Sequence, residues 1–263
     1  QCPPGTNTSS EGLLSVSDCQ ACVKGYYCPD NGTVHASLQC LAGYYCPSGT
    51  ANPMDDDNLV CPTGHYCPVG SDYPVPCSAG MYQDERGNDT CKACPAGYYC
   101  EVNTTTPVSC PAGHYCPEYT EYSTEYPCPN GTFSNMTRLG SMEECTPCTP
   151  GYYCGYVGLT EPTSLCSSGY FCGGGSSVAT PHESDGYHVS YAGDTCVSVS
   201  WNVSTVNDVC PPGHYCPMGS GSPVQCPPGT NTSSEGLLSV SDCQACVKGY
   251  YCPDNGTVHA SLQ

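Results

Sequence analysis

Nine times along the chain, a cysteine is followed six residues later by another, with glycine at the fourth position and an aromatic ring just before the second cysteine. The copies are CVKGYYC (22–28), CLAGYYC (40–46), CPTGHYC (61–67), CPAGYYC (94–100), CPAGHYC (110–116), CTPGYYC (148–154), CSSGYFC (166–172), CPPGHYC (210–216) and CVKGYYC (246–252). A fixed glycine inside so short a span predicts a tight turn with positive φ, which glycine adopts at no steric cost. The rings before the closing cysteine are Tyr27, Tyr45, Tyr66, Tyr99, Tyr115, Tyr153, Phe171, Tyr215 and Tyr251. They are expected to cover disulfides and to form a miniature core in each module.

Little else in the chain can build a core. Leu, Val and Phe together make about an eighth of the 263 residues and Ile is absent, while 24 Asp and Glu stand against five Lys and Arg. Without cysteine, a net charge of -19 over so few aliphatics reads as disorder. With 27 cysteines it reads as small disulfide-stapled modules made in an oxidising compartment, secreted or displayed at a cell surface. The acidity argues against nucleic acid and anionic membranes as partners. No apolar run approaches the roughly 20 residues that span a bilayer. The sequence opens at Gln1 with neither a start Met nor a signal peptide, so such segments are expected outside this window or removed.

A second device alternates with the first: a wider loop that opens with Cys, usually Pro, then Gly, and closes in Cys-x2-Cys. It runs from Cys2 to Cys19, Cys77 to Cys91, Cys128 to Cys145 and Cys226 to Cys243. Each opens a super-module, giving 1–76, 77–127 and 128–224, the last with an atypical insert at 173–209. Residues 225–263 repeat residues 1–39 letter for letter, so the sequence is one unit of 224 residues and the start of the next. Repetition of this kind suits a linear polymer better than an active site.

The segments CPPGTNTSSEGLLSVSDCQAC and CPNGTFSNMTRLGSMEECTPC, with their GYYC tails, resemble the ephrin-receptor-like cysteine-rich repeat, a family similar in style to tumour-necrosis-factor-receptor modules. The resemblance covers nearly the whole chain except about 173–209. It implies an elongated extracellular rod of small disulfide modules and names no ligand. It also implies the loop closures Cys2–Cys19, Cys77–Cys91, Cys128–Cys145 and Cys226–Cys243. For Cys94, Cys100, Cys110 and Cys116 it favours the crossed pairs Cys94–Cys110 and Cys100–Cys116, although four cysteines allow three connectivities. Six cysteines follow the first wide loop, so a different pattern is expected there. One unit holds an odd number of cysteines, and Cys196 stands outside both templates. It is the candidate for an unpaired or interchain cysteine, with altered pairing near Cys172 or Cys210 as the alternative.

Other chemistry fits poorly. Cys19/Cys22, Cys91/Cys94, Cys145/Cys148 and Cys243/Cys246 have the spacing of zinc knuckles and redox motifs, but a βαβ scaffold is missing and a zinc site would leave most other cysteines unexplained. His65, His114 and His214 replace the first Tyr of the turn motif and read as framework substitutions. No nucleophile elbow, phosphate loop or carboxylate pair stands in a catalytic setting, so neither an enzyme nor a cofactor is expected. Asp55, Asp56 and Asp57 offer oxygens to calcium but lack EF-hand spacing and read as a solvated loop.

The surface carries Asn-x-Ser/Thr sequons at Asn7, Asn31, Asn88, Asn103, Asn130, Asn135, Asn202, Asn231 and Asn255, which predict a glycan coat on exposed extracellular loops. The insert, with GGGSS, Cys196, His182, His188 and the lone Trp201, is read first as an extra loop. The expected architecture is a rod of tandem cysteine-rich modules with short β-hairpins, little helix and no large hydrophobic core. The expected function is a structural subunit of a glycosylated extracellular filament or surface fibre, self-associating or continuing covalently into a polymer. The alternative is a receptor or adhesion ectodomain that binds a protein ligand.

Overall fold

The computed structural model describes residues 1–11, 14–36, 38–182, 189–192, 195–198, 207–258 and 261–262; of 189–192, 195–198 and 261–262 it describes the backbone alone. Each Cys-x5-Cys motif is a closed loop. Its fourth-position glycine has φ between 75° and 89°, so the chain reverses within six residues. The two cysteine Cα atoms then lie 5.7–6.1 Å apart, within the span of one disulfide. All nine motifs therefore pair internally.

This corrects the crossed pattern. Cys94 bonds Cys100 and Cys110 bonds Cys116, because the glycine turn has already brought each pair together before the next module begins. The six cysteines after the first wide loop obey the same rule, as Cys22–Cys28, Cys40–Cys46 and Cys61–Cys67, and need no separate pattern. The wide loops close as Cys2–Cys19, Cys77–Cys91, Cys128–Cys145 and Cys226–Cys243.

Acids and amides organise the wide loops from within. Short 3-10 turns at Val16–Asp18, Met142–Glu144 and Val240–Asp242 precede three of the closing cysteines. The last residue of each reaches back over the turn: Asp18 Oδ2 accepts from the Leu14 and Ser15 N–H groups, Glu144 Oε2 from Gly140, and Asp242 Oδ2 from Leu238 and Ser239. In the Cys77–Cys91 loop the buried Gln83 does this work, donating from Nε2 to the Thr90 carbonyl at 2.7 Å and accepting at Oε1 from the Glu85 N–H.

Regular secondary structure is minimal. The strands pair two by two in antiparallel fashion, most with two residues each, as in Tyr26–Tyr27 with Leu38–Gln39. Such short ribbons have no independent stability in water. Order comes instead from a hydrogen-bonded ladder between successive loops. The chain forms two compact units, residues 1–110 with 116–125, and residues 111–115 with 126–263.

Within the first unit, the opening cysteine of each module donates its N–H to the glycine carbonyl of the preceding module: Cys22 to Gly5, Cys40 to Gly25, Cys61 to Gly43, Cys77 to Gly64, Cys94 to Gly80 and Cys110 to Gly97. The same glycines donate their N–H groups forward, to the carbonyls of Cys28, Cys46, Cys67, Gln83, Cys100 and Cys116. All twelve bonds are 2.7–2.9 Å long. The step into Cys77, where the second super-module was expected to open, is made like its neighbours.

The second unit repeats the scheme. Cys128, Cys148, Cys166, Cys210, Cys226 and Cys246 donate to Gly113, Gly131, Gly151, Gly169, Gly213 and Gly229, and those glycines donate to Ser134, Cys154, Cys172, Cys216, Thr232 and Cys252. Within each unit, modules bond their sequence neighbours, the organisation of a repeat protein.

The buried side chains are mainly cystine sulfur. Among the described residues, Leu139 and Leu237 are the Leu, Val or Met side chains that join it. Two of the rings cover a cystine as expected, but that of the following module rather than a core of their own. Most rings before a closing cysteine are half-buried, and Tyr115 and Tyr215 pack on the next module, against Cys128, Leu139 and Cys145 and against Cys226, Leu237 and Cys243. Burial raises the Tyr115 phenol above the usual tyrosine range, with the Glu143 charge a smaller cause.

The insert is pinned at its base. Tyr170–Phe171 pairs with Asp208–Val209, and the Asn207 side chain accepts from the Gly173 N–H at 2.7 Å and donates to the Gly174 carbonyl at 3.1 Å. Beyond this base, Val189–Ala192 pairs with Thr195–Ser198 in a hairpin. Its two ends are held side by side, the arrangement of an extra loop.

Candidate functional surface

The residues nominated by the sequence do not gather into one site. Every Cys-x2-Cys pair is split between two disulfides, since Cys19, Cys91, Cys145 and Cys243 close wide loops while Cys22, Cys94, Cys148 and Cys246 open tight ones. Their sulfurs are thus engaged in structural bonds. His65, His114 and His214 each place Nδ1 3.0–3.3 Å from the carbonyl two residues back, at Thr63, Ala112 and Pro212, bracing the turn that each occupies.

The aspartate run is engaged locally. Asp56 Oδ1 accepts from the Asn58 N–H and side-chain amide, and Asp55 Oδ2 accepts from Asn52 Nδ2. The Asp57 backbone carbonyl accepts from Arg86 Nη2 at 2.7 Å. Among the described residues no group of three or more His, Cys, Asp or Glu is placed to hold a metal ion.

Three of the five basic residues are used within the first unit. Lys24 Nζ lies 2.8 Å from Asp72 two modules on, and Lys92 Nζ lies 2.7 Å from Asp84 and 3.3 Å from Glu85. The hydrogen bonds from these lysines hold the Asp72 and Asp84 carboxyls below their ordinary range and raise the lysines above theirs. Both pairs are exposed, and their effect on stability is correspondingly screened.

Eight sequons fall within the described residues. Asn31, Asn103, Asn130, Asn135 and Asn255 are exposed, and Asn7, Asn88 and Asn231 are half-buried. In the three Asn-Gly-Thr sequons the threonine hydroxyl turns back onto the chain, Thr33 to Asp30, Thr132 to Pro129 and Thr257 to Asp254. Asn135, followed by exposed Met136 and Thr137, stands in an open loop. Asn202, Trp201, His188 and the Cys196 side chain lie outside the described residues.

The ladder itself was not foreseen from the sequence. A second left-handed residue in many modules, at Gly49, Gly70, Gly87, Asn103 and Tyr119 among others, donates its N–H to an earlier cysteine carbonyl and completes each step. Its residue type varies, so no motif marked it. No described helix is long and apolar enough to cross a membrane. No protein-family model matches the sequence, and no curated protein is significantly similar to it.

Proposed function

We propose that the chain is a structural repeat subunit of a glycosylated extracellular filament or surface fibre. One observation carries this reading: a 39-residue segment recurs without a change at a period of 224 residues. Both copies use the same disulfides, Cys2–Cys19 with Cys22–Cys28 and Cys226–Cys243 with Cys246–Cys252, and both enter the same kind of ladder. Selection for a binding site constrains one place on a molecule; selection for a uniform axial repeat constrains every copy alike. The resemblance to ephrin-receptor-like repeats supports an extracellular setting, as does the disulfide density. No catalytic step belongs to this reading.

Electron microscopy of the native, unreduced material tests it. Continuous fibres with one axial repeat per 224-residue unit are expected. Isolated rods of fixed, short length would instead favour a receptor or adhesion ectodomain, the reading that the family resemblance also supports.

The glycan coat is tested separately, by enzymatic release of N-glycans in heavy-oxygen water and peptide mass spectrometry. Conversion to aspartate is expected at Asn31, Asn103, Asn130, Asn135 and Asn255, with Asn135 the most fully occupied. Unmodified asparagine at all five would remove glycosylation from the proposal.

A further inference from the structure

The ring before a closing cysteine faces the chain that runs on to the next module, and in several modules it faces the same kind of residue. Leu38 stands opposite Tyr27, Val75 opposite Tyr66, Val108 opposite Tyr99 and Val224 opposite Tyr215. A branched aliphatic fits beside a ring on paired strands. Opposite Tyr115 stands a second phenol, Tyr126: His114 bridges Pro127 in antiparallel fashion, and the Tyr115 N–H donates to the Tyr126 carbonyl at 3.0 Å.

The two rings pack together. Their centroids lie 5.6 Å apart and their planes are tilted by 34°, within the range of attractive ring pairs. Tyr115 is held in place by its backbone bridge to Leu139 and by its packing against Cys128 and Cys145. Two residues away on either strand, the Cys128 N–H donates to the Gly113 carbonyl at 2.8 Å, which fixes the register. Both rings are half-buried rather than enclosed.

An aliphatic fills this place in the other modules, so a phenol adds what an aliphatic lacks, a ring that can give up an electron. The neighbouring cysteines are engaged in the disulfides Cys110–Cys116 and Cys128–Cys145, and none offers a thiol to reduce a tyrosyl radical.

We propose that Tyr115 and Tyr126 are a site of oxidative cross-linking, where a dityrosine bond forms within the chain. The co-reactant is hydrogen peroxide acting through a haem peroxidase. One electron and one proton leave each phenol, and burial, which keeps the Tyr115 phenol protonated, makes them leave together. The two phenoxyl radicals join through one Cε carbon of each ring, and the hydrogen on that carbon moves to the ring's own oxygen, restoring both phenols. The peroxide takes up both electrons and both protons and departs as two waters, so the chain loses two hydrogens and no other atom. The new bond ties the Pro111–Tyr115 turn to the chain entering Cys128, beside the hydrogen-bonded step from Cys128 to Gly113. It makes covalent a step that hydrogen bonds otherwise hold. The inference is independent of the fibre reading, since a receptor ectodomain with this pair cross-links in the same way.

The test treats the disulfide-intact chain, dilute enough that chains seldom meet, with hydrogen peroxide and a haem peroxidase. Reduction, alkylation and cleavage after glutamate follow. Glu118, Glu121 and Glu125 lie between the two tyrosines, so an unlinked chain releases them in different peptides. The expected result is dityrosine fluorescence, with the Tyr115 and Tyr126 peptides recovered as one species lighter than their sum by two hydrogens. Tyr115→Phe and Tyr126→Phe are each expected to lose that species while keeping the ring packing, as Phe171 already stands at the Tyr115 position of another module. Coupling at the exposed Tyr119, Tyr122 or Tyr156 in place of this pair overturns the site, as does a product linked only between chains or no dityrosine at all. A linked species of the same two peptides surviving in either Phe variant overturns it too.

Discussion

Reduction and alkylation of all cysteines under otherwise native conditions is expected to abolish the folded state completely, with no partly ordered remnant. The tight loops enclose six residue steps and the wide ones 14 or 17. By the chain-entropy relation, closing them restrains the unfolded state by about 2.4 kcal/mol for each tight loop and about 3 kcal/mol for each wide one. Over thirteen loops this exceeds several-fold the stability of about 5–15 kcal/mol typical of a whole domain. Little apolar surface remains to compensate, since the buried apolar side chains of the described residues are cystine with Leu139, Leu237, Pro53 and Pro181 beside it. Amide hydrogen exchange is the suitable readout. Ladder amides such as those of Cys40, Cys61, Cys166 and Cys210 should be protected in the intact chain and exchange at unfolded rates after reduction. Protection surviving reduction in either unit would show that the ladder holds without its staples.

The second large effect is a paired glycine substitution. Gly25 and Gly49 are both left-handed, at φ 80° and 89°. Alanine at either position carries the left-handed penalty of about 1–2 kcal/mol. At Gly25 the new Cβ would also lie 2.6 Å from the Gly70 carbonyl oxygen, while at Gly49 its nearest neighbour would be the Ala21 Cβ at 3.9 Å. Overpacking of the first kind costs about 1–3 kcal/mol. Gly25→Ala is therefore expected to weaken its module by about 3 kcal/mol, roughly a 100-fold loss of exchange protection at the amides of residue 25 and Cys40, which make the two bonds of that step. Gly49→Ala should lose no more than about a tenth of that factor in its own module. Equal losses would show that the turn conformation alone requires glycine and that the close approach of Gly70 is immaterial.

Much of this architecture was legible in the spacing. Cysteine, glycine and ring recur at fixed offsets because a six-residue loop has few ways to close, so the turn could be read from CVKGYYC alone. The pairing could not be read so directly. Crossed bonds between Cys94 and Cys110 obey the same spacing as the bonds observed, and only the 5.9 Å separation of the Cys94 and Cys100 Cα atoms decides between them. The ladder was invisible for another reason: it joins backbone groups, and backbone groups leave no trace in residue identity. Glycine at Gly25 is explained twice, by its own φ and by the Gly70 carbonyl two modules on. The sequence alone suggested only the first reason. The spacing set a ring beside each closing cysteine without saying which cystine it covers: Tyr115 packs against the following one, Cys128–Cys145, with its backbone bridged to Leu139 of that loop.

Among the described residues the disulfides all close within modules, while non-covalent bonds, chiefly the ladder with side-chain contacts such as Lys24 to Asp72, hold one module against the next inside each unit. Under tension these two kinds of bond fail at different loads. Pulling along the chain separates the hydrogen-bonded steps first, while each cystine holds its loop shut at a Cα separation near 6 Å. Six free residue steps would otherwise extend to roughly 20 Å. A strand of such modules is therefore compliant at its seams and inextensible within its loops, and it can lengthen and re-form without breaking a covalent bond.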